Sequence, residues 1–223
     1  MPDKPQPNVC GVCEPNQKII PLPRPADISF EPALLCDVMD TRRTVRDYSS
    51  EPLYRWELSL MLHYTQGIRS EEEGTQFRTV PSAGALHPFE THLVINRVEG
   101  IECGIYRYLP LDHALVQEIC HVGDPDAVAQ ACRRPELVQT SAVTFIWTAI
   151  AERILWKFGS RGWRYLFIEA GHICQNLYLI SKALECGTCA IGSYHDQAIH
   201  CALGLDEDKE FCVYMASVGR PNQ

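Results

Sequence analysis

The spacing of apolar residues along the chain predicts a series of helices. Apolar side chains recur every three or four residues in 55–67 and 165–185, and a helical pattern also starts at Cys36. Residues 124–133 and 196–203 predict shorter helices, the first with Asp124 as N-cap and Pro125 at its first position. The helix at 165–185 carries little charge. We therefore expect it in the core or at a subunit interface, with His172 as a hydrogen-bonded interior residue.

Five segments have the pattern or composition of strands. Residues 91–98 alternate apolar and polar positions, and we expect them to pair with residues 104–109. Residues 141–150 (SAVTFIWTAI) are apolar, β-branched and aromatic, which is typical of a central strand buried on both faces. Residues 189–193 and 211–219 complete the set. Between these elements, residues 70–74 are acidic and expected to be exposed, and residues 153–165 form a cationic and aromatic segment.

The first 35 residues differ from the rest of the chain. They contain eight of the fifteen prolines and show little periodicity, so we expect an extended arm and no core element. The predicted organisation is an arm over residues 1–35 and one domain over residues 36–223, with no internal repeat.

Composition narrows the possible classes of protein. The formal net charge is −8 and no long basic run occurs, which disfavours binding to nucleic acid. The longest apolar runs are too short to span a membrane, and the N-terminus has no apolar signal core. We therefore expect a cytoplasmic protein with no membrane association.

The chain has eleven cysteines, an odd number at irregular spacing, which favours reduced thiols over a disulfide framework. Two Cys-x-x-Cys pairs, Cys10/Cys13 and Cys186/Cys189, could together bind zinc through four thiolates. The apolar surroundings of the second pair favour small buried thiols instead. A metal or redox role for Cys10/Cys13 stays open, and no metal site is predicted.

Three separated stretches carry the residues of a candidate binding site. Two of them consist mainly of small residues, which let the backbone approach a flat ligand. They are Pro81, Ser82, Ala83 and Gly84, and the turn Ile191, Gly192 and Ser193. The third, near the start, supplies guanidinium groups and a hydroxyl suited to a phosphate and a polyol, through Arg42, Arg43, Thr44 and Arg46. Arg220 adds a cation near the C-terminus. Each stretch is also compatible with a structural role alone, as a turn or as a solvent-exposed face. These residues do not distinguish flavin from a nucleotide or another ring system as the ligand.

The order of the motifs resembles the nitroreductase superfamily. The motifs are Arg-Arg-Thr-Val-Arg at 42–46, Val-Pro-Ser-Ala-Gly-Ala-Leu-His-Pro at 80–88 and Gly-Ile-Tyr-Arg-Tyr at 104–108. The run at 155–172 resembles the SagB-type branch, which comprises flavin dehydrogenases of modified-peptide pathways. The resemblance covers residues from about 36 to 221 and implies an α+β fold, with a mostly antiparallel central sheet flanked by helices.

The same resemblance implies an intertwined homodimer with FMN at the interface. It places the arginines and Thr44 near the phosphate and ribityl chain, with Arg220 as a terminal phosphate contact. It places residues 81–84 of the partner subunit near the flavin ring, and residues 191–193 near its N5 atom.

The resemblance also raises the question of the catalytic base. SagB-type azoline oxidases have a Lys-Tyr pair, to which Lys157 and Phe158 correspond here. Lys157 could act as a base if it is desolvated, whereas Phe158 cannot transfer a proton; Tyr165, Tyr194 or His195 could substitute. The leading hypothesis is an FMN-dependent dehydrogenase that moves a hydride between flavin and a peptide-derived or other small substrate. The alternatives are an NAD(P)H-dependent nitro or quinone reductase and a non-catalytic partner subunit with a flavin fold.

Overall fold

A seven-stranded sheet runs through the centre of the computed structural model, which describes residues 7–8, 17–118 and 125–222. The strands are β1 (Ile19–Pro21), β2 (Ile68–Glu72), β3 (Thr75–Arg78), β4 (Phe89–Ile95), β5 (Gly104–Leu109), β6 (Ala114–Gln117), β7 (Val143–Ala149), β8 (Gly187–Ile191) and β9 (Phe211–Gly219). Their order in the large sheet is β1-β6-β5-β4-β7-β9-β8, and β2 and β3 form a separate hairpin. Every pairing between these strands is antiparallel.

Helices cover both faces of the sheet. They are α1 (Leu35–Thr41), α2 (Arg55–Gln66), α3 (Pro125–Ala131), α4 (Glu136–Gln139), α5 (Ala151–Phe158), α6 (Gly162–Ala183) and α7 (Asp196–Leu203). Side chains of α2, α5 and α6 fill one hydrophobic core, and those of α3, α4 and α7 fill a second. Successive side chains of β7 point to opposite faces of the sheet, so Phe145 packs in the first core and Ile146 in the second. The expected α+β fold with an antiparallel central sheet is confirmed.

Most elements with a strong apolar pattern are confirmed. The segment 141–150 contains β7, whose seven residues are all buried between β4 and β9. Residues 104–109 form β5 and pair with β4, while 196–203 and 211–219 coincide with α7 and β9. The predicted helix at 124–133 corresponds to α3, but its proposed N-cap Asp124 lies outside the described residues.

The long helix α6 is confirmed, but it begins earlier than predicted and His172 is not interior. Residues 153–165 divide into α5, a short turn and the start of α6 at Gly162. One face of α6 packs into the first core, while Phe167 and Ile168 on the opposite face are 60% and 49% exposed. His172 lies one turn after Ile168 and is exposed. The prediction for His172 was wrong because apolar residues occur on both faces of this helix.

The N-terminal segment contributes to the sheet, contrary to the expectation of an arm without core elements. β1 pairs with β6, and Leu22 directly after it is 6% exposed and belongs to the first core. The backbone N–H of Leu22 donates to the carbonyl of His113 at 3.1 Å. A three-residue strand that ends in proline is too short to give an alternating pattern, which explains why the sequence does not reveal it.

The acidic segment 70–74 is mostly exposed, as expected, but it belongs to the unpredicted β2–β3 hairpin. Ile68 pairs with Arg78, whereas Ser70 pairs with Phe77, so that Arg69 is an extra residue at a β-bulge. The hairpin has only two apolar residues, Ile68 and Phe77, so its sequence lacks the apolar alternation that identifies a strand.

Cys186 and Cys189 are buried thiols, as predicted, while Cys10 and Cys13 lie outside the described residues. Over the described ranges, no group of three or more His, Cys, Asp or Glu residues is arranged to hold a metal ion. Within the same ranges, no helix is both long and apolar enough to cross a bilayer.

Candidate functional site

The first candidate group lies where residues 42–46 run beside β8. Thr44 forms a parallel bridge with Thr188, and the N–H of Val45 donates to the Thr188 carbonyl at 3.0 Å. Gly187 permits this approach, because a Cβ atom there would lie 2.5 Å from the Cβ of Val45. The arginine motif is therefore attached to the edge of the sheet, next to the start of the 191–193 turn.

Tyr178 of α6 joins the arginine motif to the end of β8. Its hydroxyl accepts a hydrogen bond from the N–H of Ala190 at 2.9 Å and lies 3.3 Å from the Thr44 hydroxyl. The guanidinium carbon of Arg42 is 5.3 Å from the centre of the Tyr178 ring. A guanidinium and two hydroxyls thus lie around the Tyr178 side chain, a donor set that suits a phosphate and a polyol. Tyr178 was not identified from the sequence, because one aromatic residue in a long apolar helix carries no distinguishing signal.

The predicted arginines do not all converge on this point. The guanidinium of Arg43 donates to the carbonyls of Asp40 and Arg42, at 2.9 and 2.8 Å, and so caps the end of α1. Arg46 hydrogen-bonds the Cys189 thiol, whose pKa is nevertheless raised because the thiol is buried. Arg42 and Thr44 therefore face the candidate site, whereas Arg43 is turned away from it.

Arg220, predicted as a terminal phosphate contact, is held by protein groups in the described chain. Its guanidinium pairs with the buried Glu57 carboxylate at 2.7 Å and also donates to the Leu184 carbonyl at 2.9 Å. A further contact joins it to the Cys186 sulfur at 3.3 Å. These contacts tie β9 to α2 and to the end of α6, so that Arg220 serves the fold in the described chain.

The turn after β8 lies next to the Tyr178 cluster. Ile191 is buried, while Gly192 and Ser193 are exposed. A Cβ atom on Gly192 would have Tyr214 as its nearest neighbour, at 3.7 Å. The backbone of this turn is therefore open to a ligand, as expected of a small-residue turn.

The second candidate group is the loop at residues 81–87, which is held by Glu169. The carboxylate of Glu169 accepts the N–H of Ala83 at 2.7 Å and also hydrogen-bonds the Ser82 hydroxyl. The Ser82 oxygen in turn accepts the N–H of His87 at 3.0 Å. Gly84, Ala85 and His87 have positive φ values of 66°, 54° and 43°. Backbone in this region is costly for residues other than glycine and is often retained at functional sites.

Glu169 was not identified from the sequence, although a signal was present. It is the single acidic residue of α6 and lies on its buried face, where it is 4% exposed. Burial raises its pKa to about 6, against the lowering effect of the hydrogen bonds from Ala83 and Ser82. A buried carboxyl in an apolar helix therefore fixes the shape of the 81–87 loop.

Of the four candidate catalytic residues, the structure brings Lys157 and Tyr165 towards this loop. A Cβ atom on Gly84 would lie 3.0 Å from the Lys157 Nζ atom and 3.4 Å from Phe158 Cζ. The Phe158 ring packs edge-on against Tyr165, with 4.9 Å between ring centres. Lys157 is exposed, so its ammonium group can reach a molecule bound at the loop.

Tyr194, also predicted as a catalytic residue, lies away from the 81–87 loop and directly after the 191–193 turn. It forms a backbone bridge with Cys132 and packs against the second core, where its hydroxyl bonds to the Cys212 thiol. Burial raises the pKa of Tyr194, which keeps its hydroxyl protonated and makes it a poor proton donor. His195 is the N-cap of α7 and donates its N–H to the Ala131 carbonyl at 2.8 Å.

The two candidate groups contact opposite sides of α6. Glu169 holds the 81–87 loop, and Tyr178 holds the arginine motif, nine residues further along the helix. Nine residues correspond to about 14 Å along a helix axis and about 180° around it. Within one chain, the loop and the arginine motif therefore face different directions.

Comparison with known proteins identifies the family. The pattern of the nitroreductase family matches residues 39–220. MJ1384 of Methanocaldococcus jannaschii, which is classed with the nitroreductases, is 36% identical over 205 residues, covering 90% of this chain and 96% of its own. The microcin B17-processing protein McbC of Escherichia coli is 26% identical over 144 residues, covering 62% of this chain and 52% of McbC. The chain thus spans about half the length of McbC.

Solved structures show the same fold. A protein of Ralstonia eutropha classed as a nitroreductase covers the whole chain with a TM-score of 0.77 at 20% identity, and 98% of its own chain is matched. The E. coli microcin synthetase complex McbBCD, with truncated pro-MccB17 bound, covers 90% of this chain and 77% of the matched one (TM-score 0.67, 22% identity). A protein of Desulfovibrio desulfuricans in complex with FMN covers 86% of this chain and 89% of its own (TM-score 0.58, 18% identity). On the match over residues 39–220 and the relationship to MJ1384, the chain belongs to the nitroreductase family.

Proposed function

We propose that the protein is an FMN-dependent oxidoreductase that acts as a homodimer. The observation that carries the proposal is the meeting of Arg42, Thr44 and Tyr178 beside the open Gly192-Ser193 turn. This donor set fits a phosphate and a ribityl chain, and the turn leaves room for a flat ring. Membership of the nitroreductase family and the FMN-bound relative support flavin over other ring systems.

The homodimer is supported by the direction of the two candidate groups. The 81–87 loop and the arginine motif face opposite sides of α6, so a second copy is needed to bring a loop to each arginine motif. The outward face of α6 exposes Phe167 and Ile168 beside the polar His172, and a Cβ atom added to Gly171 would have no neighbour within 4 Å. An exposed apolar surface of this kind is typical of a subunit interface.

The residues around the loop define what the protein contributes to the reaction. When bound, FMN supplies a hydride acceptor and donor. Lys157 takes up the proton that accompanies the hydride once bound substrate shields its amine from water, because desolvation favours the neutral amine. Phe158 and Tyr165 contribute apolar surface that excludes water beside it. Glu169 holds Ser82 and Ala83 in place, so that the backbone of the loop presents a fixed surface.

We further propose that the substrate is peptide-derived or another small molecule that the protein dehydrogenates. The similarity to McbC and to the trifolitoxin-processing protein TfxB of Rhizobium leguminosarum supports this assignment. The second candidate function is reduction of nitro or quinone compounds by a nicotinamide cofactor. The relationship to MJ1384, which covers almost the full length of both chains, favours this alternative.

Flavin binding is tested first, with two neighbouring arginines as a matched pair. The purified protein is expected to absorb at about 450 nm, as flavoproteins do. Arg42→Ala is expected to weaken FMN binding by about 1.5–3 kcal/mol, the value of a charge-assisted hydrogen bond. Arg43→Ala serves as the control, because Arg43 is turned back onto α1. A colourless protein that FMN does not reconstitute would refute the flavin proposal.

The direction of the reaction is tested by anaerobic mixing of the flavin-loaded protein with NADH or NADPH. Rapid bleaching of the flavin absorbance supports the reductase. Absence of bleaching with both cofactors supports a dehydrogenase that takes its electrons from the substrate.

A further inference from the structure

A pocket of about 600 Å³ lies between the β2–β3 hairpin and the 79–87 segment. One wall comes from the hairpin and includes Arg69, Phe77 and Arg78, and the second wall includes Ser82 and Gly84. Its volume is within the range of sites for small ligands. The second wall belongs to the loop that Lys157 approaches, so this pocket, called the hairpin pocket below, adjoins the candidate active site.

The charge of the hairpin pocket is opposite to that of the whole chain. The formal net charge of the protein is −8, with 28 acidic and 20 basic residues. Among the described residues that line the pocket, two are arginines and none carries a carboxyl group. Glu71, Glu72 and Glu73 of the same hairpin are exposed and lie outside the lining. The pocket is therefore a local positive site in an acidic protein.

Local backbone geometry brings the two arginines together. Arg69 is the extra residue at the bulge opposite Phe77 and Arg78, and bulges commonly redirect a side chain next to a functional site. Arg78 is 5% exposed, and its Nη1 atom donates to the Gln66 side-chain oxygen at 2.7 Å. Both arginine side chains line the same pocket, so that one anion can contact both guanidinium groups.

The remaining lining favours an organic anion. Phe77, Val80 and Pro81 provide apolar surface, and Thr75 and Ser82 provide hydroxyl groups. His87 is close enough to Arg78 for the arginine to lower its pKa, which burial lowers first, to about 4. His87 is therefore neutral at neutral pH, and its ring bonds to the Gln76 carbonyl at 2.8 Å. The pocket combines two fixed cations, one apolar side and a strained loop.

We propose that the hairpin pocket binds a carboxylate group of the substrate through Arg69 and Arg78. Arginine forks bind carboxylates through paired hydrogen bonds, which fix the orientation of the ligand as well as its position. A substrate held in this way would extend along Ser82 and Gly84 towards Lys157. The inference rests on the proposed function and names its substrate class, a carboxylate-bearing small molecule or peptide end.

Two probes of nearly equal shape test the proposal without turnover. The flavin-loaded protein is titrated by calorimetry with 4-nitrobenzoate and with 4-nitrobenzamide, in the absence of an electron donor. We expect the carboxylate to bind about 10-fold more tightly than the amide, in line with a charge-assisted pair. Arg69→Gln is expected to bring the ratio close to one. Arg134→Gln, which removes an exposed arginine paired with Glu136, should leave the ratio unchanged.

Arg78 is tested by a variant that keeps its buried charge. Arg78→Lys retains a cation but loses the planar fork, and it is expected to lower the ratio several-fold. If this variant does not fold, the result for Arg69→Gln decides. Equal affinity of the wild-type protein for both probes, or a ratio that Arg69→Gln does not change, would overturn the proposal.

Two further outcomes distinguish carboxylate binding from nucleotide binding, and the hairpin pocket from the flavin site. In the first, the protein prefers NADP⁺ over NAD⁺ only when Arg69 is present and shows no preference for the carboxylate probe. This result would assign the pocket to a nucleotide phosphate and overturn the carboxylate proposal. Flavin absorbance is recorded on the same samples. A protein that never binds FMN but still prefers the carboxylate would refute the proposed function and support the pocket.

Discussion

Replacing Glu169 by glutamine tests how the 81–87 loop is held. Glutamine has the shape of the protonated carboxyl group and keeps one oxygen to accept the Ala83 N–H. It cannot ionise, however, and its amide group cannot accept the second hydrogen bond from Ser82. The substitution therefore removes the charge while leaving the packing of α6 nearly unchanged.

The size of the effect follows from the pKa of Glu169. Burial raises this pKa from 4.5 to about 6 in the folded protein, which corresponds to about 2 kcal/mol. The folded state binds the proton more tightly than the unfolded chain does. The wild-type protein therefore loses this stability as the pH rises from below 4.5 through 6, while Glu169→Gln does not. Relative to the wild type, the variant should gain about 2 kcal/mol between about pH 4 and pH 7.5.

Thermal unfolding of the two proteins across this pH range measures the difference. For a chain of this length, about 2 kcal/mol corresponds to a relative shift of about 4–8 °C in Tm. Effects of all unchanged groups cancel in the comparison, because both proteins carry them. A difference in Tm that stays constant across the whole pH range would refute the reasoning. A costly buried carboxylate is retained when function requires it, so we also expect the variant to bind FMN less tightly.

Three further predictions concern catalysis, stability and assembly. Lys157→Ala is expected to lower turnover about 100-fold or more with flavin still bound, as for loss of a general base. Arg161→Ala is the control, and full activity of Lys157→Ala would exclude Lys157 as the base. Arg220→Ala leaves the Glu57 carboxylate buried without its partner and is expected to cost about 3–5 kcal/mol in denaturant unfolding. Adding Glu57→Gln should recover part of this loss, and an unchanged midpoint in the single variant would contradict the structural role. Phe167→Asp is expected to give a monomer in sedimentation experiments, whereas Leu111→Asp, at an apolar position of similar exposure outside α6, should leave a dimer.

The parts of the fold that could be predicted are those in which burial alone dictates residue type. β7 is buried on both faces and α7 on one, so their sequences carry a clear pattern. β1 has three residues, and the β2–β3 hairpin is polar, so hydrogen bonding rather than burial defines them. Such elements depend on partners distant in the sequence and give no local signal.

The candidate site likewise contains residues that the sequence predicts and residues that it does not. Gly84 and Gly192 stand out in the sequence because small residues allow backbone to approach a ligand. Residue type alone does not determine the direction of a long side chain: Arg42 faces the site, Arg43 caps α1 and Arg220 pairs with Glu57.

Both edges of the seven-stranded sheet limit addition of further strands. At one edge, β1 is short and ends in Pro21, a residue without an N–H to donate. At the opposite edge, the Thr188 carbonyl is already bonded to Val45. A side chain at Gly187 would push residues 44–45 away from β8 and leave that edge free to pair with strands of other molecules. The contact that presents Thr44 to the candidate site therefore also protects the protein against aggregation.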